Sequence, residues 1–316
     1  MYVVTGGAGF IGSNIVRALN DRGVTDIVVV DDLKRGEKFF NLNDCRIADY
    51  MDRHEFLHVI ADEGSDFPAT AILHQGACVD TMEFDGQYMM ESNFTYSKRL
   101  LQFALERSIP FVYASSGSVY GTSRESREAP QNEKPINVYA FSKCVFDQYV
   151  RRVLPSARST VVGLRYFNVY GPREQHKGKM SSMVFQLHKQ LVQTGVARLF
   201  AGTDSYADGE QRRDFVFVGD VAKVNLFFAD GPARQAIVNV GTGKSRSFND
   251  VARTLIAALG RGRIEYIPFP DTLRGKYQSF TEADVSALRQ GGYHEPFLSL
   301  EDGIARSVPA WQAASR

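Results

Sequence analysis

A tyrosine and a lysine stand four residues apart in Tyr139-Ala140-Phe141-Ser142-Lys143. On a helix that spacing puts both side chains on one face. A free phenol titrates at about 10, too high to serve as a base near neutrality. A neighbouring ammonium favours the phenolate. A tyrosine tuned in this way can take a proton from an alcohol while the carbon bearing it is oxidised. The pattern alone arises easily by chance, with an exposed helix pair as the plain alternative. The catalytic reading gains from Ser115-Ser116-Gly117-Ser118-Val119-Tyr120-Gly121, which follows the apolar run Phe111–Ala114. A hydroxyl at such a strand end, on Ser116, can position a reacting oxygen.

The elements that must hold these groups are legible upstream. Tyr2–Thr5 is a short β-type run leading into Gly6-Gly7-Ala8-Gly9-Phe10-Ile11-Gly12. Apolar residues at Ile11, Ile15, Val16 and Leu19 then follow a helical period, with Gly23 as a stop. Ile27–Val30 forms a buried parallel-type strand ending at Asp31. Strand, glycine loop, helix, strand and acid in this order is the context that gives the glycine motif meaning. The glycines let the backbone approach a pyrophosphate lying on the helix N-terminus, and Asp31 is placed to bond an adenosine ribose. Further strands are expected at Ala71–Leu73, Phe111–Ala114 and Thr160–Leu164, each ending in small or polar residues. In open α/β sheets the carboxyl ends of the strands form the ligand edge. His74 at one such end is read as a packed histidine.

The chain has 316 residues, with 37 basic and 36 acidic side chains and a net charge of +1. That length suggests about two domains. The charge balance argues against a nucleic-acid partner, which calls for a concentrated basic excess. Cys45, Cys78 and Cys144 are far apart and show no metal-binding spacing. No export signal precedes the first strand, and no apolar run is long enough to span a bilayer. A cytoplasmic protein without metal or membrane partner is expected.

The chain resembles the extended short-chain dehydrogenase/reductase family over essentially its whole length. The matching pieces are TGGAGFIG, SSGSVYG, YAFSK, RYFNVYGPR, RDFVFVGDVA and NVGTG. Within that family it is most similar to the epimerases of ADP-linked heptoses, through GACVDTMEFDGQYMMESN, YFNVYGPREQHKGKM and IPFPDTLRGKYQSFTEADVSALRQGGY. The resemblance implies a Rossmann-type doubly wound parallel sheet with a smaller, interleaved α/β substrate domain. The expected boundaries are a dinucleotide domain over 1–166, with returns near 214–245, and a mainly substrate-binding domain over 167–316. Asp214–Val218 and Ile237–Val240 are expected as strand segments of the two domains in turn.

The resemblance also implies roles. Tyr139 and Lys177 are the acid/base groups, Ser116 positions the reacting oxygen, and Lys143 sets the ionisation of Tyr139 and holds the nicotinamide ribose. Read from chemistry alone, Lys177 is equally a diphosphate contact or a solvated loop lysine. Cofactor contacts fall on Gly6, Gly9, Phe10, Ile11, Gly12, Asp31, Asp32, Lys38, Arg53, Gln75, Gly76, Ala77, Cys78, Val79, Asn93, Lys143, Val169 and Lys177. Asp31 by itself favours NAD, because a carboxylate repels a ribose 2′-phosphate. Lys34, Arg35, Lys38 and Arg53 offer compensating charge, so NADP is expected with NAD tolerated; Lys34 and Arg35 also read as plain surface charge. Substrate contacts are expected from Asn168, Lys179, Gln186, Phe200, Ala201, Gly202, Thr203, Arg213 and Tyr277, with Arg212 as a neighbouring surface charge. The implied partner is an ADP-sugar, and the implied assembly a homo-oligomer, a homopentamer by the resemblance.

Gly117-Ser118, Val79-Asp80, Ala140, Lys179 and Gln186 depart from the common heptose-epimerase pattern. Competing expectations are a UDP-hexose 4-epimerase and a non-catalytic NADP-binding sensor. A 4,6-dehydratase fits less well, since an Asp-Glu pair is usual where Gly117-Ser118 stand.

Overall fold

The computed structural model describes residues 1–61, 67–271 and 277–313. Strand β1 (Tyr2–Thr5) runs into the glycine loop and helix α1 (Phe10–Asp21), which leads to β2 (Ile27–Asp31), β3 (Asp49–Asp52) and α2 (Arg53–Ala61). Next come β4 (Ala71–His74), α3 (Gly86–Met90) and α4 (Tyr96–Glu106), the two helices joined by a π turn at Glu91–Thr95. Then follow β5 (Phe111–Ser116), α5 (Val138–Val153) and β6 (Val161–Tyr166). The first strands are nearly continuous apolar runs because both faces are covered. Val3, Val28 and Val30 pack toward α2, α4 and α5. Val4 and Val29 point the other way, toward the core shared with Ile15, Val16 and Leu19.

The rest of the chain divides its elements between two layers. It comprises β7 (Asn168–Tyr170), α6 (Met183–Thr194), β8 (Val196–Phe200), β9 (Arg212–Arg213), β10 (Phe215–Phe217), α7 (Val218–Asp230) and β11 (Gln235–Val240). After these come β12 (Arg246–Ser247), α8 (Phe248–Leu259), β13 (Arg263–Ile267), α9 (Ser286–Gln290) and α10 (Leu300–Ala313). The central sheet has seven strands in the order β11-β6-β5-β4-β1-β2-β3. Every pair in it is parallel. Strand β11 therefore returns to the edge of the first sheet, while β10 pairs with β7 and β13 with β8 outside it. A second core gathers α6, α8 and α10 around Phe185, Leu191, Leu255 and Trp311, with Phe10 of α1 at its border.

The expected strands are present, Tyr2–Thr5 with the ends expected and the others with shifted ends. The strand expected over Phe111–Ala114 runs on through Ser115 and Ser116, which pair with Arg165 and Tyr166. Val218 starts helix α7 rather than ending a strand, and Asp214 lies outside β10. The carboxylate of Asp214 accepts from the backbone of Thr242, Gly243 and Ala283, tying it to the segments that follow β11.

Candidate active site

The carboxyl ends of β1, β4, β5 and β6 line one edge of the sheet, where the glycine loop, the segment from Gln75 and Ser116 lie. At the glycine loop Gly6 has φ +64°, and a Cβ on it would stand 2.7 Å from the amide nitrogen of Gly76. Two strand-end turns thus meet backbone to backbone, which only glycine permits. Helix α1 begins at Gly9 with no side-chain cap, so its first amides are available to an anion. Asp31 is buried; its carboxylate accepts from the Ala8 amide at 3.0 Å and from Lys38 at 2.5 Å. Burial works against the Asp32 carboxylate, but Lys38, 3.2 Å away, outweighs it and lowers its pKa. The loop, the acid and a cation held between two carboxylates fit the adenosine end of a dinucleotide.

The wall after β4 is built differently. Gln75 spends its side chain on Asn225 (3.0 Å) and Tyr166 (3.0 Å). Asn93 sits in the π turn, a geometry often found at functional sites. It is fully buried; its amide oxygen accepts from the Cys78 backbone at 2.8 Å, and its nitrogen donates to the Cys78 carbonyl at 2.9 Å and to Ser142 Oγ at 3.0 Å. Asn93 thereby clamps the backbone of Cys78 to α5. Val79 is exposed, and Val169 packs between the two large cores.

Helix α5 delivers the first proton-handling group. Asn137 caps it, its side chain accepting from the Ala140 amide at 2.8 Å. Tyr139 lies in the first turn; burial pushes its phenol up, and the Ser116 hydroxyl pulls it back only in part. Lys143, 4% exposed, donates to the Ala114 carbonyl at 2.8 Å. Burial lowers its pKa to about 8 against a smaller opposing pull from Asp147. Ser116 Oγ stands 2.7 Å from Ser118 Oγ. Below them Asp147, one turn beyond Lys143, accepts from Tyr113, Ser115 and Arg165, each at 2.8 Å. Glu133 completes this buried network with Arg165 and Arg151. The network escapes the motif reading, although the four-residue step from Lys143 to Asp147 is its visible trace.

Lys177 is held by an irregular turn, Gln175–Met180. Its ammonium lies 5.3 Å from the Phe10 ring centroid. Burial lowers its pKa, with Glu174 pulling the other way. Glu174 is itself buried, and burial raises its carboxyl to about 7 although Ser182 and Gly171 donate to it. Lys177 is therefore no solvated loop lysine. Lys179 is exposed, and Gln186 donates its amide to the Lys179 carbonyl at 2.7 Å.

Arg213 on β9 is 8% exposed and makes no ion pair among the described residues. Its guanidinium lies 4.9 Å from the Tyr277 ring and 5.7 Å from that of Phe248, and burial lowers its pKa. A buried cation without a counter-ion calls for an anion, and a planar fork suits a diphosphate. Phe200 packs edge-on to Tyr277, the Gly202 amide donates to the Asp208 carboxylate at 2.8 Å, and Asn168 donates to Thr281 at 3.1 Å. Ala201 and Thr203 flank that turn. Arg212 departs from the expected surface charge: it donates to Ser245 Oγ at 3.1 Å and to the Ser245 carbonyl at 2.6 Å, tying β9 to the segment before β12. His74 is the packed histidine expected, between Thr5 and Ser97, with burial lowering its pKa to about 3. Gly275 and Lys276 of the GKYQ motif lie outside the described residues.

Residues 2–241 match the family described as NAD dependent epimerase/dehydratase. The chain belongs to that family. It therefore uses a nicotinamide dinucleotide and acts as an epimerase-type enzyme. It is 54% identical over 311 residues to the ADP-L-glycero-D-manno-heptose-6-epimerase of Alkalilimnicola ehrlichii, covering 98% of this chain and 97% of that one. Among solved structures it is similar to the enzyme of the same name from Helicobacter pylori, with TM-score 0.84, 30% identity, and coverage of 99% and 96%. A Thermus thermophilus UDP-glucose 4-epimerase in complex with NAD gives TM-score 0.78 at 28% identity, over 99% of both chains. No helix among the described residues is long and apolar enough to cross a membrane.

Proposed function

We propose that the chain inverts C6 of the heptose in ADP-D-glycero-β-D-manno-heptose, giving the L-glycero epimer used for lipopolysaccharide core heptose. The observation that carries this reading is the 54% identity to the A. ehrlichii epimerase across nearly the full length of both chains.

The chemistry is consistent with the site. C6 is an alcohol carbon with no acidic hydrogen, so removing a proton from it directly is not feasible. Oxidation to a ketone flattens the carbon, and return of hydride to the other face inverts it. When bound, the nicotinamide supplies a hydride acceptor and donor. The chain's own part is to hold the sugar and move the O6 proton. In one direction Tyr139, aided by Ser116, takes that proton as hydride leaves; the proton is returned to O6 as hydride comes back. Lys177 does the same work for the other epimer, whose hydroxyl points elsewhere. A partly buried amine with a lowered pKa and a partly buried phenol beside a serine suit two such roles. Arg213 and Tyr277 receive the diphosphate, and Asn168, Lys179, Gln186 and the 200–203 turn receive the sugar.

We further read the cofactor as NADP, with Lys38 and Arg53 meeting the 2′-phosphate. In support, Lys38 already stands between Asp31 and Asp32 and can offset their charge. A homo-oligomer, pentameric by family resemblance, accords with exposed apolar side chains at Met82, Phe84 and Phe141, Phe84 being 83% exposed. Incubating the purified protein with ADP-, UDP- and GDP-sugars and following products by NMR tests the central claim. Epimerisation of the ADP-heptose is expected. Turnover of a UDP-hexose with none of the ADP-heptose would overturn it in favour of a hexose 4-epimerase.

A further inference from the structure

The Lys177 turn lies far in sequence from the glycine loop, yet one side chain joins them. Asn41 is buried, at the end of a short 3-10 turn over Gly36–Asn41. Its Nδ2 donates to the Ala8 carbonyl at 2.9 Å, inside the glycine loop, and the same nitrogen lies 3.0 Å from His176 Nδ1. A carbonyl can only accept, so the atom facing Ala8 must be the amide nitrogen. Both of its hydrogens are then directed, one to each partner. His176 Nδ1 must therefore accept, which fixes the neutral ring with its proton on Nε2. Burial lowers the His176 pKa to about 4, with Lys177 and Lys38 adding to the effect and Asp31 opposing it. The turn is fastened at its start as well. Asn14 donates to the Pro172 carbonyl at 3.0 Å, and Arg173 bonds the Asn41 carbonyl and both oxygens of Asp44.

We propose that His176 is a positioning residue: through Asn41 it fixes the Lys177 ammonium relative to the glycine loop. Seating of the dinucleotide loop and placement of the second proton-handling group are thus one mechanical unit. Gly178, next after Lys177, has φ +55° and open space around it, so the turn has no packing of its own on that side. Without the Asn41 bond the residue before Lys177 loses its fixed donor. This inference rests on the reading of Lys177 as an acid/base group.

The test uses the full-length protein with its bound nicotinamide and the ADP-heptose. In His176→Ala, kcat is expected to fall about tenfold or more with KM within about twofold, since placement of a proton-transfer group is lost and binding is not. In His176→Asn the side-chain oxygen occupies the place of Nδ1, and kcat is expected within about threefold of the parent. In the parent protein, 15N NMR of labelled histidine should report His176 Nδ1 as unprotonated. Unchanged kcat in His176→Ala, an Asn variant as slow as the Ala variant, or a protonated Nδ1 would each overturn the proposal. If His176→Ala does not fold, the Asn variant and the NMR measurement still decide it. Lys177→Met at the parent rate would instead sink the acid/base reading of Lys177, while the NMR result would still judge the Asn41–His176 bond.

Discussion

The two proton-handling groups are held in opposite ways. Tyr139 rides on the first turn of a 16-residue helix that is capped by Asn137 and packed on the sheet through Phe146 and Val150. Lys177 rides on a six-residue irregular turn with no buried residue of its own, fixed by side chains that reach across from the dinucleotide layer. Secondary structure places the first; long-range polar ties place the second. A helix tolerates small insults because backbone bonds and packing share the load. A turn held by a few polar contacts depends on each of them.

The sharpest way to break the comparison is to remove each group in turn. Tyr139→Phe and Lys177→Met should each lower kcat by roughly 10²–10⁴-fold, the usual range for a lost acid or base. Epimerisation measured by NMR gives the loss. If one variant keeps the parent rate, a single group serves both epimers and the pairing fails. Arg213 offers an intermediate case, since β9 sets its backbone but aromatic rings set its side chain. Arg213→Lys keeps the charge and loses the fork. KM for the ADP-sugar should rise roughly tenfold with kcat little changed. An equal loss in kcat would mean that Arg213 orients the reacting carbon as well.

This contrast also explains what could be read from the chain. Tyr139 and Ser116 were legible because periodicity and strand-end chemistry are local. So was the glycine loop, whose strand and helix flank it directly. Lys177 stood out by resemblance, but nothing near it in sequence points to Asn41, 136 residues earlier. Arg212 looked like surface charge because its anchor, Ser245, belongs to a distant turn. Asp147 and Arg165 form their pair only once α5 is laid on the sheet.

A smaller effect separates stability from activity on the helix side. The Lys143 pKa is lowered from 10.5 to about 8 by burial, so between those values the unfolded chain binds more protons than the folded one. Stability from this group therefore rises with pH across that window, and its penalty is whole below about pH 8. Lys143→Met should abolish most activity. Its Tm relative to the parent should be higher at pH 7 than at pH 10, by roughly 2–4 °C for each kcal/mol of penalty removed. No pH dependence in that difference would mean that the ammonium is not burdened by burial in the folded protein.

The smallest expected effects set a cap against a turn. Asn137→Ala removes one side-chain acceptor from the start of α5 and should cost about 1 kcal/mol of global stability. Because the helix is packed along its length, kcat should fall less than about fivefold. Gly178→Ala adds a methyl into open space, so its cost is the positive-φ backbone alone, about 1–3 kcal/mol. That cost falls on a turn outside the large cores, where local distortion relieves it more cheaply than unfolding. Gly178→Ala should therefore leave Tm nearly unchanged and lower kcat more than Asn137→Ala does. Thermal melts and NMR turnover on the two variants decide the matter. If Gly178→Ala instead lowers Tm and spares kcat, the Lys177 turn is as firmly part of the cooperative fold as α5, and the difference between the two supports disappears.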